Sequence, residues 1–314
     1  MRLPYLLDLT SRLSEGMAKL PAADRRRHGD FLLSSQNPDG GFSGRDGISD
    51  LYYTGFALRG LAILDCLTED VGRKCSSYLR NCLRSEASIV DFFSLLVSCA
   101  LVQSCGGPDI LEDAIADWPD RVAQELESFR SDDGGYAKSA DGKYGSTYHT
   151  FLVALCYELL GRTVPQPNRI VEFVASRRRD DGGYVEIAAM KRSGTNPTAA
   201  AIGTLQILHS DDFPVLTPQV RHVTANFLLG LRSPDGGFLA NSRAPLADLL
   251  STFTALWTLK TLDALDQVDT DQLSRFVDQL ERDNGGFGGG IWDEATDAEY
   301  TFYGLGCRAL LAPS

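Results

Sequence analysis

Ser233-Pro234-Asp235-Gly236-Gly237-Phe238 is the stretch that organises this chain. Asp opens a turn by accepting backbone amides, and glycine takes positive φ at little steric cost. The aromatic that follows is expected to plug a gap between neighbouring units. The string recurs as Asn37-Pro38-Asp39-Gly40-Gly41-Phe42, Ser131-Asp132-Asp133-Gly134-Gly135-Tyr136, Arg179-Asp180-Asp181-Gly182-Gly183-Tyr184 and Arg282-Asp283-Asn284-Gly285-Gly286-Phe287. The first glycines, Gly40, Gly134, Gly182, Gly236 and Gly285, are separated by 94, 48, 54 and 49 residues. The first gap is about two periods, so a copy without its turn is expected around Arg84–Gly107.

Each unit has one grammar. An apolar helical stretch such as Phe31-Leu32-Leu33 or Phe173-Val174 precedes the turn, and a short polar loop leads to a second, more apolar helix. The second helices are expected at Leu51–Leu64, Phe92–Leu101, Thr150–Leu160, Thr198–Leu208, Leu249–Leu262 and Tyr300–Leu311, with few strands. Two helices of unequal polarity per period imply a two-layer helical stack with the more apolar helix inside. Neither end carries a distinctly polar capping unit, which favours a closed ring. The expected organisation is a single all-α domain over residues 1–314, with an N-terminal helix in 1–21 and six repeats over about 22–312.

The bulk properties narrow the function classes. The chain has 314 residues, 43% hydrophobic and 23% charged, as in a soluble globular protein. A net charge of −12 repels phosphate backbones and anionic headgroups, which argues against nucleic acid and direct membrane docking. Seven cysteines with no CxxC pair fit a reducing compartment. Met1 to Leu20 carries Asp8, Arg12 and Glu15 and reads as an amphipathic helix rather than a signal peptide. No stretch approaches the roughly 18 apolar residues of a membrane span. The expectation is a cytoplasmic protein with no stable membrane insertion.

The repeats resemble those of protein prenyltransferase β-subunits and squalene-hopene-type cyclases, over about Phe31 to Leu311. Gly285-Gly286-Phe287-Gly288-Gly289-Gly290-Ile291-Trp292-Asp293-Glu294 through Phe302 is similar to Rab geranylgeranyltransferase β-subunits. Tyr148-His149-Thr150-Phe151 is similar to the segment that carries that family's zinc histidine. The resemblance implies an α/α toroid whose ring encloses an aromatic funnel for an isoprenoid diphosphate. The residues support such a lining on their own. The starts of the apolar helices carry Tyr52, Tyr53, Phe56, Phe92, Phe93, Tyr148, Phe151, Phe253, Trp257, Tyr300, Phe302 and Tyr303. The fourth unit offers Thr198, Ala199, Ala200 and Ala201 instead, which would leave an off-centre void for a long hydrocarbon. The alternative is that the aromatics simply fill the core.

The family's transferases hold zinc through Asp-x-Cys in one unit and His in the next, and the metal presents a thiolate nucleophile. Counted from the N-terminus, those positions fall on Asp248-Leu249-Leu250 and Tyr300. In a shifted register they fall on Asp91-Phe92-Phe93 and His149, where Asp and His survive and Phe93 replaces the cysteine. The expectation is therefore no metal and no cofactor, with zinc on Asp91 and His149 as the alternative. Asp50, Asp91, Asp248 and Asp297 precede apolar helices at equivalent positions and are expected to be N-caps. Functionally, carboxylates at such a rim could protonate an alkene, so Asp91, Asp248 and His149 are the catalytic candidates. Diphosphate needs cations, and Arg45, Lys143, Lys191, Arg192 and Arg243 are available, Arg45 and Arg243 foremost. Arg177-Arg178-Arg179 reads as solvated exterior.

Three functions compete. The first is a prenyltransferase-like protein that binds an isoprenoid diphosphate or another long apolar ligand. A helical α-subunit-like partner or a homo-oligomer goes with it. The second is a terpene cyclase, whose Asp-x-Asp-Asp acid has its nearest match at Asp269-Thr270-Asp271-Gln272, read here as a loop. The third is a non-catalytic lipid-binding or scaffolding protein.

Overall fold

The computed structural model describes residues 3–83, 88–112, 117–210 and 212–313; Arg84, where the turnless copy was expected to begin, lies outside them. Helix α1 (Tyr5–Met17) is followed by α2 (Ala22–Ser34) and α3 (Leu51–Ile63), α4 (Glu69–Cys82) and α5 (Ile89–Ser104), and α6 (Trp118–Ser128) and α7 (Thr147–Leu159). The remaining pairs are α8 (Pro167–Arg177) and α9 (Thr195–Leu208), α10 (Pro218–Leu229) and α11 (Leu249–Thr261), and α12 (Thr270–Leu280) and α13 (Ala298–Leu311). After α1 the helices thus follow one another as six pairs. The two-residue strands β1 (Phe287–Gly288) and β2 (Thr296–Asp297) pair antiparallel.

The chain divides into two compact units. The middle unit, Met1–Tyr5 with Asp117–Phe276, holds repeats three to five. In it α7, α9 and α11 pack side by side. The terminal unit, Leu6–Ala116 with Val277–Ser314, holds repeats one and two, the last residues of α12, and α13. In it α13, α3 and α5 pack side by side. The second helix of every repeat is apolar on nearly all faces, as a helix enclosed by neighbours must be.

The turns explain why the repeats stack. The five first glycines sit at φ between 90° and 104°. At Gly285 a Cβ would also lie 2.6 Å from the Arg27 carbonyl oxygen of α2, and at Gly236 2.5 Å from that of Gln272 in α12. The last turn thus sits on the first repeat's helix as the turn of the fifth repeat sits on α12. The aromatics after the glycines, Phe42, Tyr136, Tyr184, Phe238 and Phe287, are all buried. Each donates its backbone N–H to a threonine hydroxyl one turn into the apolar helix: Thr54, Thr150, Thr198, Thr252 or Thr301, at 2.9–3.2 Å. A buried amide without a partner is costly, so this threonine is part of the repeat. In repeat two the corresponding position, four residues after the helix cap, is Phe92. Turn and threonine have gone together.

Some expectations need correction. Asp50, Asp248 and Asp297 are N-caps, but Asp91 is not their equivalent. Ser88 caps α5, and Asp91 is the third residue of a capping box, its Oδ2 accepting the Ser88 N–H at 2.9 Å and hydroxyl at 2.7 Å. Helices α5, α7 and α9 begin three residues before the expected starts, because Ser88, Ser146 and Gly194 are their caps. Arg177 is buried, its guanidinium paired with Asp133 below the Phe173 ring, so that basic run is not solvated exterior throughout. The Asp269–Gln272 string is a loop only at Asp269, whose carboxylate accepts the Gln272 N–H at 2.9 Å; Thr270, Asp271 and Gln272 begin α12.

Candidate functional site

In the terminal unit the first turns of α3, α5 and α13 carry Tyr52, Tyr53, Phe92, Phe93 and Tyr300, all partly exposed, beside the buried Phe56, Phe302 and Tyr303. The rings interlock edge to face: Tyr52 on Tyr53 at 5.5 Å and on Phe56 at 4.9 Å, with Phe56 on Tyr303 at 5.3 Å.

One acid enters this aromatic surface. Glu299 Oε1 accepts hydrogen bonds from the Tyr52 hydroxyl at 2.7 Å and the Tyr303 hydroxyl at 3.3 Å. Burial pushes the Glu299 carboxyl above the usual range, and the two tyrosines oppose that only in part. Sequence reasoning passed over Glu299. Its signal was a carboxylate two residues after a helix cap on a run that otherwise reads as aromatic core.

Arg45, expected to meet diphosphate, is already held. Its Nε donates to Asp297 at 2.8 Å, its terminal nitrogen donates to Asp293 at 2.7 Å, and it lies over the Tyr300 ring. Asp293 raises the Arg45 pKa above its ordinary value, and Arg45 lowers that of Asp293. Asp297 also accepts the Tyr300 N–H, so one carboxylate caps α13 and fixes the loop.

In the middle unit, His149 lies in the first turn of α7. Its Nδ1 is 2.8 Å from the Ser146 hydroxyl, which donates to Glu186; Glu186 also accepts from Thr147 at 2.9 Å. Ser146 has one proton and gives it to the carboxylate. Nδ1 must then carry the ring proton and donate to Ser146, which leaves Nε2 as the basic nitrogen. Burial lowers the His149 pKa, and Glu186 works against that. Sequence reasoning found His149 but not Glu186, which lies 40 residues beyond Ser146 in the next repeat.

Asp248 accepts the Ser251 N–H at 2.7 Å and hydroxyl at 2.8 Å, and burial raises its pKa. Phe253 and Trp257 are buried, and the Trp257 indole donates to the Tyr5 hydroxyl at 2.8 Å. The Tyr5 ring packs edge-on against Phe151 at 5.2 Å and Trp257 at 6.1 Å. Tyr148 and Arg243 are exposed. Asp91 and Phe92 belong to the terminal unit, and His149 to the middle unit.

The residues at hand do not fit the zinc that the family resemblance implies. Phe93 or Leu250 stands where a thiolate is needed, and Asp91 is engaged by Ser88. Among the described residues no group of three His, Cys, Asp or Glu side chains is placed to hold a metal ion. Nor, among them, is any helix long and apolar enough to cross a membrane.

Comparison with known proteins agrees with this fold. The profile of the prenyltransferase alpha-alpha toroid domain matches residues 5–98 and 109–314. No curated protein matches in sequence. Among solved structures, Candida albicans protein geranylgeranyltransferase-I complexed with GGPP superposes with a TM-score of 0.70 at 14% identity, covering 90% of this chain and 89% of that one. A variant of the type II terpene cyclase MstE from Scytonema, in complex with geranylgeranyl dihydroxybenzoate, gives 0.62 at 13% identity over 98% and 99%. A possible member of the GH105 family from Salmonella enterica gives 0.60 at 11% over 93% and 94%. Such distant likeness shows the fold alone. With repeats, turns and profile in agreement, the chain belongs to the prenyltransferase α/α toroid domain family.

Proposed function

We propose that this protein binds a long isoprenoid chain against the aromatic first turns of α13, α3 and α5. The observation that carries the reading is the partial exposure of Tyr52, Tyr53, Phe92, Phe93 and Tyr300 on helices that are otherwise enclosed. Exposed rings packed edge to face offer apolar area at small entropic cost. The solved relatives with geranylgeranyl ligands support the choice of hydrocarbon. Arg45 is neutralised by Asp293 and Asp297, so the hydrocarbon supplies most of the affinity and the diphosphate little. The missing thiolate argues against zinc-assisted transfer; if transfer occurs, a helical α-subunit-like partner or a second copy would accompany it.

Geranylgeranyl diphosphate and geranylgeraniol should therefore raise the melting temperature by similar amounts, and Tyr52→Ala with Phe92→Ala should cut both shifts. An unchanged melting curve with both ligands at saturation would end the isoprenoid reading. A shift with the diphosphate alone would show that the headgroup dominates.

A second reading, cyclisation started by a proton, is favoured by Glu299. Both tyrosines bond Oε1, leaving Oε2 to carry the acid proton. That proton adds to an alkene carbon, the tertiary cation closes onto a neighbouring double bond, and a proton leaves the final cation, so the product is an isomer of the substrate. In deuterated water the product should gain one deuterium, and Glu299→Gln should abolish its formation while ligand binding persists. A cyclised isomer formed at full rate by Glu299→Gln would remove this reading.

A further inference from the structure

Three loops of the middle unit, residues 138–146, 186–194 and 240–248, run from a turn to the start of an apolar helix. Each holds an exposed large apolar side chain: Tyr144 at 68% exposure, Ile187 at 37% and Met190 at 46%, and Leu246 at 38%. Each also holds cations. Lys138, Lys143, Lys191 and Arg243 are exposed and Arg192 is partly so. Among the described residues none of these five is in an ion pair. The loops contain three carboxylates, and two of them are engaged: Glu186 by Ser146 and Thr147, Asp248 by Ser251. Only Asp141 stands open. The loops also share one end of the unit. Thr147 at the start of α7 donates its N–H to the Glu186 carbonyl at 3.0 Å, and Thr195 at the start of α9 donates to the Ala240 carbonyl at 2.9 Å.

A locally cationic edge on a chain of net charge −12 is a directed feature. We propose that this edge of the middle unit docks on the surface of an anionic lipid bilayer. The lysines and arginines meet headgroup phosphates, and Tyr144, Ile187, Met190 and Leu246 enter the interfacial layer. Two observations select a bilayer over an acidic protein. The apolar side chains stand one or two to a loop, separated by cations, which a fluid headgroup layer accommodates and a single protein groove does not. The acidic remainder of the chain is repelled by the same surface, so docking has one orientation. Net charge alone had argued against membranes; the local charge reverses that at this edge.

The test uses the full chain without any isoprenoid, so its failure leaves the ligand reading untouched. Co-sedimentation with phosphatidylcholine vesicles containing phosphatidylserine should exceed that with phosphatidylcholine alone, and should fall with salt. Lys143→Glu, Lys191→Glu and Arg243→Glu together should lower the affinity about a hundredfold. Tyr144→Ser with Met190→Ser should weaken binding while keeping its salt dependence. Ile291→Ser with Trp292→Ser, in exposed loop positions of the terminal unit, should change nothing. Circular dichroism and melting temperature check that each variant folds. Equal binding to both vesicle types, no binding, or binding insensitive to charge reversal would overturn the proposal. So would capture by an acidic protein without vesicle binding.

Discussion

The middle and terminal units are built from the same repeat yet present opposite chemistry. Both use the glycine turn, the buried aromatic and the threonine that receives its amide. The terminal loops hold Arg45 among Asp46, Asp50, Asp293, Glu294 and Asp297, and Arg45 is clamped by two of these. The middle loops hold Lys138, Lys143, Lys191, Arg192 and Arg243 with no such clamp. The first turns differ too: tyrosine and phenylalanine in α3, α5 and α13, but threonine, asparagine and alanine in α9. The turn and the threonine decide how a repeat stacks. Loop tips and exposed first-turn residues carry none of that load, so each unit is free to carry a different surface.

The largest expected effect tests the shared part. Gly285→Ala forces a Cβ into left-handed backbone and onto the Arg27 carbonyl, whereas Gly47, at φ 80°, has nothing within 4 Å of its Cβ position. Gly285→Ala should destabilise by about 3 kcal/mol, and Gly47→Ala by about 1 kcal/mol, the conformational part alone. In the middle unit Gly236→Ala and Gly161→Ala form the matching pair, since Gly161 is also left-handed and open. Urea unfolding measures all four. Equal losses within a pair would show that the turn does not lock onto the next helix.

The threonine row comes next. Thr252→Val leaves the buried Phe238 amide without a partner, at a cost of about 1–3 kcal/mol, and Thr252→Ser should recover most of it. Thr54→Val should cost the terminal unit a similar amount through Phe42. If only one unit responds, the two do not share this bond as a structural requirement.

How far the sequence could be read follows the same division. The turns were legible because glycine at positive φ is a local demand, and the caps Asp50, Asp248 and Asp297 because a cap lies next to its helix. Asp91 was misplaced although Ser88-Ile89-Val90-Asp91 spells a capping box, because turn-based alignment had no turn to start from there. The threonines were visible at a constant spacing but have no meaning until the aromatic's amide is known to be buried. Partners from distant repeats were out of reach. Arg45 meets Asp293 across 248 residues, and Glu186 reaches back 40 to Ser146, so neither the spent arginine nor the tautomer of His149 could be read locally. The site candidates divide accordingly: Tyr52 and Tyr300 stand partly exposed, while Phe253 and Trp257 are buried in the middle unit, Trp257 against Tyr5.

The smallest expected effect separates the two units by pH. The helix residue just after the carbonyl that meets each first turn glycine is fully buried: Ile170, Thr224 and Leu273 in the middle unit, Cys75 and His28 in the terminal unit. Thr224 donates to the Gly182 carbonyl, and His28 Nδ1 meets the Gly285 carbonyl in the same way at 2.6 Å while its ring stacks on Phe287. Burial lowers the His28 pKa. Glu281, 3.7 Å from Nε2, favours the proton, but Glu281 already receives Arg27 and Arg308, and both oppose it. With the folded pKa below the unfolded value near 6.5, the stabilising contribution is present above that value. It is lost as pH falls toward the folded pKa, because the unfolded chain then binds the proton first. Stability should fall as the pH drops below about 6.5. His28→Thr, which copies Thr224, should flatten this slope while keeping the carbonyl bond, whereas removing the exposed His222 of the middle unit should leave it unchanged. Urea midpoints of the three proteins at pH 7 and pH 5.5 decide the matter. An undiminished slope in His28→Thr would mean that the proton is taken up elsewhere and that the join of repeats six and one is no more sensitive to acid than the others.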